Sequence, residues 1–320
     1  MNKLLSSVQF VVDNSDHVSI NHEAIGTFVA NFKPTQVDHW MKACPFEYRP
    51  LKNIEDEIDR WFLADAQAFC FWGYPTKWNI NYEGKQTDGW WGLLAAIQKT
   101  IEAGVPLLEG DYLANMSVEQ IKELFAGEPT IPLLSERLTA FRQIGQTLVT
   151  KYQGRFHNFL TSAPKDAPEL TLALAAEFEI FRDTASYKGE TIHFYKKAQL
   201  LVHDLKEGFP GTKYSQIENI SDLTGEADYK VPAILRKMEI LVYDIELAKK
   251  VDNRIELTSG SAEEVEVRAG MLVALNVMVE KLKPAYPQMN ALTLDGILWV
   301  MSQTKSGDDK PYHLTLTVDY

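Results

Sequence analysis

The stretch Leu223-Thr224-Gly225-Glu226-Ala227-Asp228-Tyr229-Lys230-Val231-Pro232, running on into Ala233-Ile234-Leu235, decides how this chain is read. Proline is favoured at the start of a helix, where its missing N–H has no partner to lose. A helix is therefore expected to open at Pro232, to run through Ile234, Leu235 and Met238, and to reach residue 248. Asp228 then falls in the connection ahead of it, beside a phenol (Tyr229) and an ammonium (Lys230). There its carboxylate is not needed as the N-cap and is free to face a cavity, where a catalytic acid is wanted.

Outward from this segment, helical periodicity dominates. Residues 21–32 and 54–71 are expected to be helical, the latter with Ile54, Ile58, Trp61, Phe62 and Ala66 on one stripe. The helix from Trp90 to Ala103 stops at Gly104, with Pro106 just beyond. Further helices fit 117–126, 132–150, 168–180, 191–207, 262–283 and 291–303, and Ser117 with Gln120 makes a capping box. Trp78 to Tyr82 alternates at period two ahead of Glu83-Gly84-Lys85, which predicts a small β-hairpin. The same alternation in Tyr312 to Tyr320 predicts a short C-terminal strand. The expected fold is mainly α, one domain over residues 1–320, with 105–130 as the place where it would divide.

Composition narrows the function. The 320 residues suffice for a large core, and 45% hydrophobic with 24% charged residues is ordinary for a globular chain. A net charge of −12 argues against wrapping a long polyanion, although one or two local cations suffice for a single phosphate. Cys44 and Cys70 make no disulfide framework and lack metal-ligand spacing. No apolar run reaches the ~18–20 residues of a membrane span. The apolar run Val8 to Val12 is too short for a signal peptide, so a cytoplasmic location is expected. GxGxxG, GxxxxGK[ST], HExxH and GxSxG are all missing, which disfavours the chemistries they carry. No metal site is expected.

Two constellations stand out beside Asp228. On a helix, His193, Lys197, Leu200 and Asp204 share one face, with Lys196 and Gln199 on the adjoining one. A Lys–Asp pair two turns apart can bracket a polar ligand; equally, the same charges make a solvated face. Phe69-Cys70-Phe71-Trp72-Gly73-Tyr74 and Gly89-Trp90-Trp91-Gly92 flank the hairpin, and four of the seven tryptophans fall between positions 72 and 91. Aromatic walls stack planar heterocycles, and neighbouring glycines let a ring approach the backbone. Core packing is the competing use. Phe181-Arg182-Asp183 and Glu264-Val265-Glu266-Val267-Arg268 suit salt-bridge networks.

Taken in order, Phe69-Cys70-Phe71-Trp72, Gly89-Trp90-Trp91, Phe181-Arg182-Asp183, Phe194 to Gln199, Ala227 to Pro232 and Glu264 to Arg268 resemble the queuosine salvage family, the queuosine 5′-phosphate N-glycosylases/hydrolases. The resemblance runs from about residue 8 to Tyr320, and its specificity lies in the ordered succession. It implies a mostly helical fold similar to helix-hairpin-helix DNA glycosylases, with Leu223 to Leu235 as a modified hairpin leading into a helix. It also implies hydrolysis of the N-glycosidic bond of queuosine 5′-monophosphate to queuine and ribose 5-phosphate, without a cofactor. Under the resemblance Asp228 is the catalytic carboxylate, and Phe71, Trp72, Trp90 and Trp91 hold the base plane. Asp183 or Asp204 meets the base donors or the ammonium of the cyclopentenediol arm. Lys197, Lys230 and Tyr229 take the 5′-phosphate. The expected partner is a small nucleotide, with no stable nucleic-acid complex and no membrane. A nucleic-acid base glycosylase and a non-catalytic nucleoside-binding or scaffold protein are the alternatives.

The chain departs from the family pattern at Glu226, Lys230 and Ala233, where Phe, Arg and Gln are usual, and at Cys70 and Trp90, where Ser and Tyr are usual. Lys in place of Arg gives up bidentate phosphate recognition. Glu226 puts a second carboxylate beside Asp228, a setting that raises the pKa of one member.

Overall fold

The computed structural model describes residues 3–33, 40–73, 75–304 and 306–320. Among these residues fourteen α-helices are accompanied by three two-stranded antiparallel sheets, so the fold is mainly α. No helix among them is long and apolar enough to cross a membrane.

The apolar interior forms two clusters. One gathers Phe62, Phe69, Trp78, Leu93, Phe141, Phe156, Phe178, Phe181 and Leu201. The other surrounds the Ala262–Leu282 helix, whose residues from Glu264 to Leu275 are all buried. A helix buried on every side must neutralise each charge it carries. Glu266 accepts hydrogen bonds from Ser15 Oγ, His17 N and Tyr187 Oη. Arg268 grips both oxygens of Asp183 at 3.0 and 2.6 Å, and Glu264 accepts the Tyr320 hydroxyl at 2.8 Å. The two charged clusters singled out in the sequence are thus partners of each other.

The Ser117–Gln120 capping box is present. The expected hairpin is also present, as strands Asn79–Tyr82 and Lys85–Asp88 joined through Glu83 and Gly84, both with positive φ. That backbone matches the twist of a tight hairpin. A second hairpin, Thr184–Tyr187 with Glu190–His193, turns on Lys188 and Gly189 in the same way. It displaces the start of the helix expected from residue 191. The helix runs Lys196–Gly208 and begins after a left-handed Tyr195. His193 therefore lies on a strand and not on the face with Lys197.

Three other expectations are corrected. The helix expected over 54–71 ends at Ala66. Beyond it the buried Arg137 guanidinium donates to the carbonyls of Gln67, Phe69 and Cys70, so those carbonyls serve as acceptors outside a helix. The helix expected over 232–248 is Lys230–Lys237, a strand Leu241–Tyr243 paired with Val18–Ile20, and a new helix Ile245–Asp252 capped by Asp244. Glu239, at φ 58°, makes the break. The alternating tail is not a strand. Leu314 makes one bridge to Glu256, while Thr315 and Tyr320 offer their carbonyls to Trp72 Nε1 and Cys70 N. The tail meets a different neighbour at each step, so no continuous ladder forms.

Candidate active site

A cleft opens where the two apolar clusters meet, and the segment from Thr224 to Lys230 contributes Glu226, Asp228, Tyr229 and Lys230 to its wall. That segment is held almost residue by residue. Gln199 Oε1 accepts from Thr224 N at 2.8 Å, and Asp295 Oδ2 accepts from Glu226 N at 2.6 Å. Arg268 Nε donates to the Ala227 carbonyl at 3.1 Å. Between these clamps Gly225 adopts φ +112°, and a Cβ there would lie 3.0 Å from both Asp295 Oδ2 and a Leu275 methyl. Only glycine meets both demands.

Asp228 lines the cleft, partly buried. The expectation that its carboxylate is not used as a cap is corrected: Oδ1 accepts from Lys230 N at 2.7 Å and Val231 N at 3.1 Å, fastening the start of the Lys230–Lys237 helix. Pro232 lies third in that helix, still in the first turn, where its missing N–H loses no partner. Oδ2 accepts no hydrogen bond from the described residues and is left for the cleft. Burial raises the Asp228 pKa, while the Lys196 ammonium and the two N–H groups oppose it.

The other walls come from distant elements. Phe71, Trp90, Trp91, Trp299 and Tyr320 supply aromatic surface, with the Trp91 and Trp299 rings 6.4 Å apart at 66°. Lys196, Leu200 and His203 enter from one stripe of the Lys196–Gly208 helix, with Asp204 beside them. Glu226 stands 3.7 Å from His203 Nδ1. Burial works against a charge on His203, but the carboxylates around it, Glu226 foremost, together outweigh burial and lift its pKa. Burial pushes Asp204 up to about 7. Burial and then the charge of Glu226 hold Asp295 well above the ordinary carboxylate range. At the mouth, Lys77, Asp88 and Lys230 join Tyr229, whose ring lies 4.9 Å from that of Tyr312.

Of the residues singled out in the sequence, Asp228, Phe71, Trp90, Trp91, Asp204, Tyr229 and Lys230 converge here. Three do not. Asp183 is buried against Arg268 and accepts Lys196 N at 3.0 Å, so it has no face for a ligand. Lys197 is fully buried; its ammonium lies over the Phe69 ring and bonds the Val318 carbonyl. Trp72 turns to the tail carbonyl of Thr315. Tyr74, in the same aromatic run, lies outside the described residues. Sequence reasoning missed Lys77, Asp88, Asp295 and Trp299, and it put Lys197 where Lys196 stands. Asp295 alone carried a readable signal, a lone carboxylate in the apolar run Leu292 to Val300.

Comparison with known proteins agrees with this architecture. A family model described as queuosine salvage protein matches residues 48–320. A Sphaerobacter thermophilus protein named queuosine 5′-phosphate N-glycosylase/hydrolase is 34% identical, over 99% of this chain and 97% of its own length. Proteins of the same name from Mus musculus and Dictyostelium discoideum are 30% and 28% identical, over 98% and 96% of this chain and 97% and 95% of theirs.

Proposed function

The chain belongs to the queuosine salvage protein family, and on that premise we propose that it hydrolyses the N-glycosidic bond of queuosine 5′-monophosphate, releasing queuine and ribose 5-phosphate. The observation that carries the assignment of the reacting group is the clamped Asp228, with one oxygen spent on two backbone N–H groups and the other left for the cleft.

Breaking the bond between C1′ and the base nitrogen sends the electron pair to the base and builds positive charge on the ribose, as in other glycoside cleavages. A carboxylate fixed before substrate arrives needs no reorganisation to stabilise that charge. Asp228 Oδ2 fills this role. The hydroxyl of the incoming water ends on C1′, and its proton balances the departing base. Queuine is a 7-deazaguanine, whose position 7 is carbon and takes no proton, so catalysis falls more on the sugar side. Glu226 and His203 are the pair beside Asp228 able to orient the water and accept its proton.

Trp90, Trp91, Trp299 and Phe71 receive the base plane, and Asp204 its N–H donors. Lys230, with Lys77 and the Tyr229 hydroxyl, takes the phosphate at the mouth. Lys196, also in the cleft lining, favours the charged form of Asp228. A net charge of −12 and the acidic lining support a small nucleotide over a polynucleotide as substrate. The two free cysteines fit a reducing cytoplasm. Incubation with queuosine 5′-monophosphate should yield queuine and ribose 5-phosphate in equal amounts. A nucleotide left intact at stoichiometric enzyme would overturn the reading.

A further inference from the structure

Behind Asp204 lies a second carboxyl that no step above uses. Asp65 stands in the last turn of the Ile54–Ala66 helix with no solvent exposure. Asp204 faces it from the Lys196–Gly208 helix, close enough for the two carboxyl groups to act on each other's charge. No N–H or O–H group of the other described residues reaches either oxygen of Asp65 or Oδ2 of Asp204. Two carboxylates have no hydrogen to share, and a pair of buried anions in contact is costly, so the pair carries a proton. Its place is on Asp65. Asp65 sits in the last turn of its helix, at the negative end of the helix dipole, which disfavours an anion. Lys196 favours a charge on either carboxyl, but Asp204 also lines the cleft beside His203, which favours a charge on Asp204.

We propose that Asp65 is a neutral, hydrogen-donating positioning residue that holds Asp204 as a carboxylate aimed at the N–H donors of the bound base. The assignment of those donors rests on the function proposed above; the state of Asp65 does not. Asp204 must be ionised to accept them, so kcat/KM falls on the acid side as Asp204 gains its proton, near pH 7. The charged groups facing the pair are Lys196 and His203 on the helix of Asp204 and Glu226 on the opposite loop. His203 is itself raised, so variants at Asp65 are needed to separate the two limbs.

Asp65→Asn replaces an O–H donor by an N–H donor. It should leave the acid limb of kcat/KM within about half a pH unit of wild type, because the anion keeps a neutral partner. Asp65→Leu removes the donor and should move that limb up by about one unit or more, raising KM near neutrality while kcat in alkaline buffer is retained. A limb unmoved in Asp65→Leu, or moved as far in Asp65→Asn, overturns the proposal. Infrared difference spectra of wild type minus Asp65→Asn at pH 8 read the proton without turnover. They should show the carbonyl stretch of a protonated carboxyl. Absence of that band overturns the proposal even where Asp65→Leu does not fold. Its presence shows that the Asp65–Asp204 pair carries a proton whatever nucleotide the cleft takes, and the contrast between the Asn and Leu variants places it on Asp65.

Discussion

Replacing Asp228 with Asn removes one negative charge and little else. The Lys230 and Val231 N–H groups reach Oδ1 at 2.7 and 3.1 Å, and an amide oxygen accepts both. The start of the Lys230–Lys237 helix should therefore survive. What is lost, under the function proposed above, is the interaction with the ribose cation. At ~3.5 Å, a near-attack separation, and an effective dielectric constant of ~20, two unit charges interact by about 5 kcal/mol. At ~1.4 kcal/mol per decade, kcat should fall about 10³- to 10⁴-fold. KM should change little, because C1′ carries little charge in the ground state. Single-turnover release of queuine measures the first effect and thermal melting the second. Asp228→Ala serves as the contrast. It also loses the cap, at about 0.5–2 kcal/mol, or roughly 1–3 °C for 320 residues. An Asn variant retaining more than about a tenth of wild-type kcat refutes the electrostatic role. One that melts as low as the Ala variant refutes the account of how Oδ1 is used.

Arg268→Leu should strand Asp183 and Glu264 as unpaired buried carboxyls. The expected loss is about 3–5 kcal/mol, a melting point lower by roughly 4–8 °C, and activity should fall too because Arg268 also anchors the Ala227 carbonyl. A wild-type melt would sink this account of the helix. Gly225→Ala puts a methyl 3.0 Å from Asp295 Oδ2 at φ +112°; it should cost about 1–3 kcal/mol in urea unfolding, and a neutral result would show that the loop relaxes freely. Lys197→Met tests the buried ammonium, whose pKa burial lowers to about 7. An unfolded lysine titrates near ~10.4, so between those values only the unfolded chain holds the proton. Stability from this group is complete above the upper value and is lost as pH falls through the lower one. The rise in urea midpoint from pH 7 to about 9.5 should shrink in the Met variant, and an unchanged slope would mean that the lysine is charged in the fold.

The contrast between Lys196 and Lys197 shows why a sequence locates a site more readily than it assigns one. Neighbours on a helix point about 100° apart, and which of two adjacent lysines meets the cleft depends on what else claims the other. Here the Val318 carbonyl and the Phe69 ring claim Lys197, and both come from parts of the chain that local periodicity does not connect to it. Asp183 was lost in the same manner, to an arginine 85 positions away. Elements defined by their own turn residues were legible: Glu83-Gly84 marks one hairpin, and Lys188-Gly189 marked the other as clearly once the apolar run after it is not forced into a helix. The break at Glu239 was not, because a left-handed glutamate has no compositional signature. Asp228 lies between these cases. Its position before a helix was readable, but capping and catalysis looked like alternatives. A carboxylate has two oxygens, and the structure divides them. Because Oδ1 is pinned by the helix, Oδ2 is held toward the cleft, so under the function proposed above capping does not compete with chemistry but orients the oxygen assigned to it.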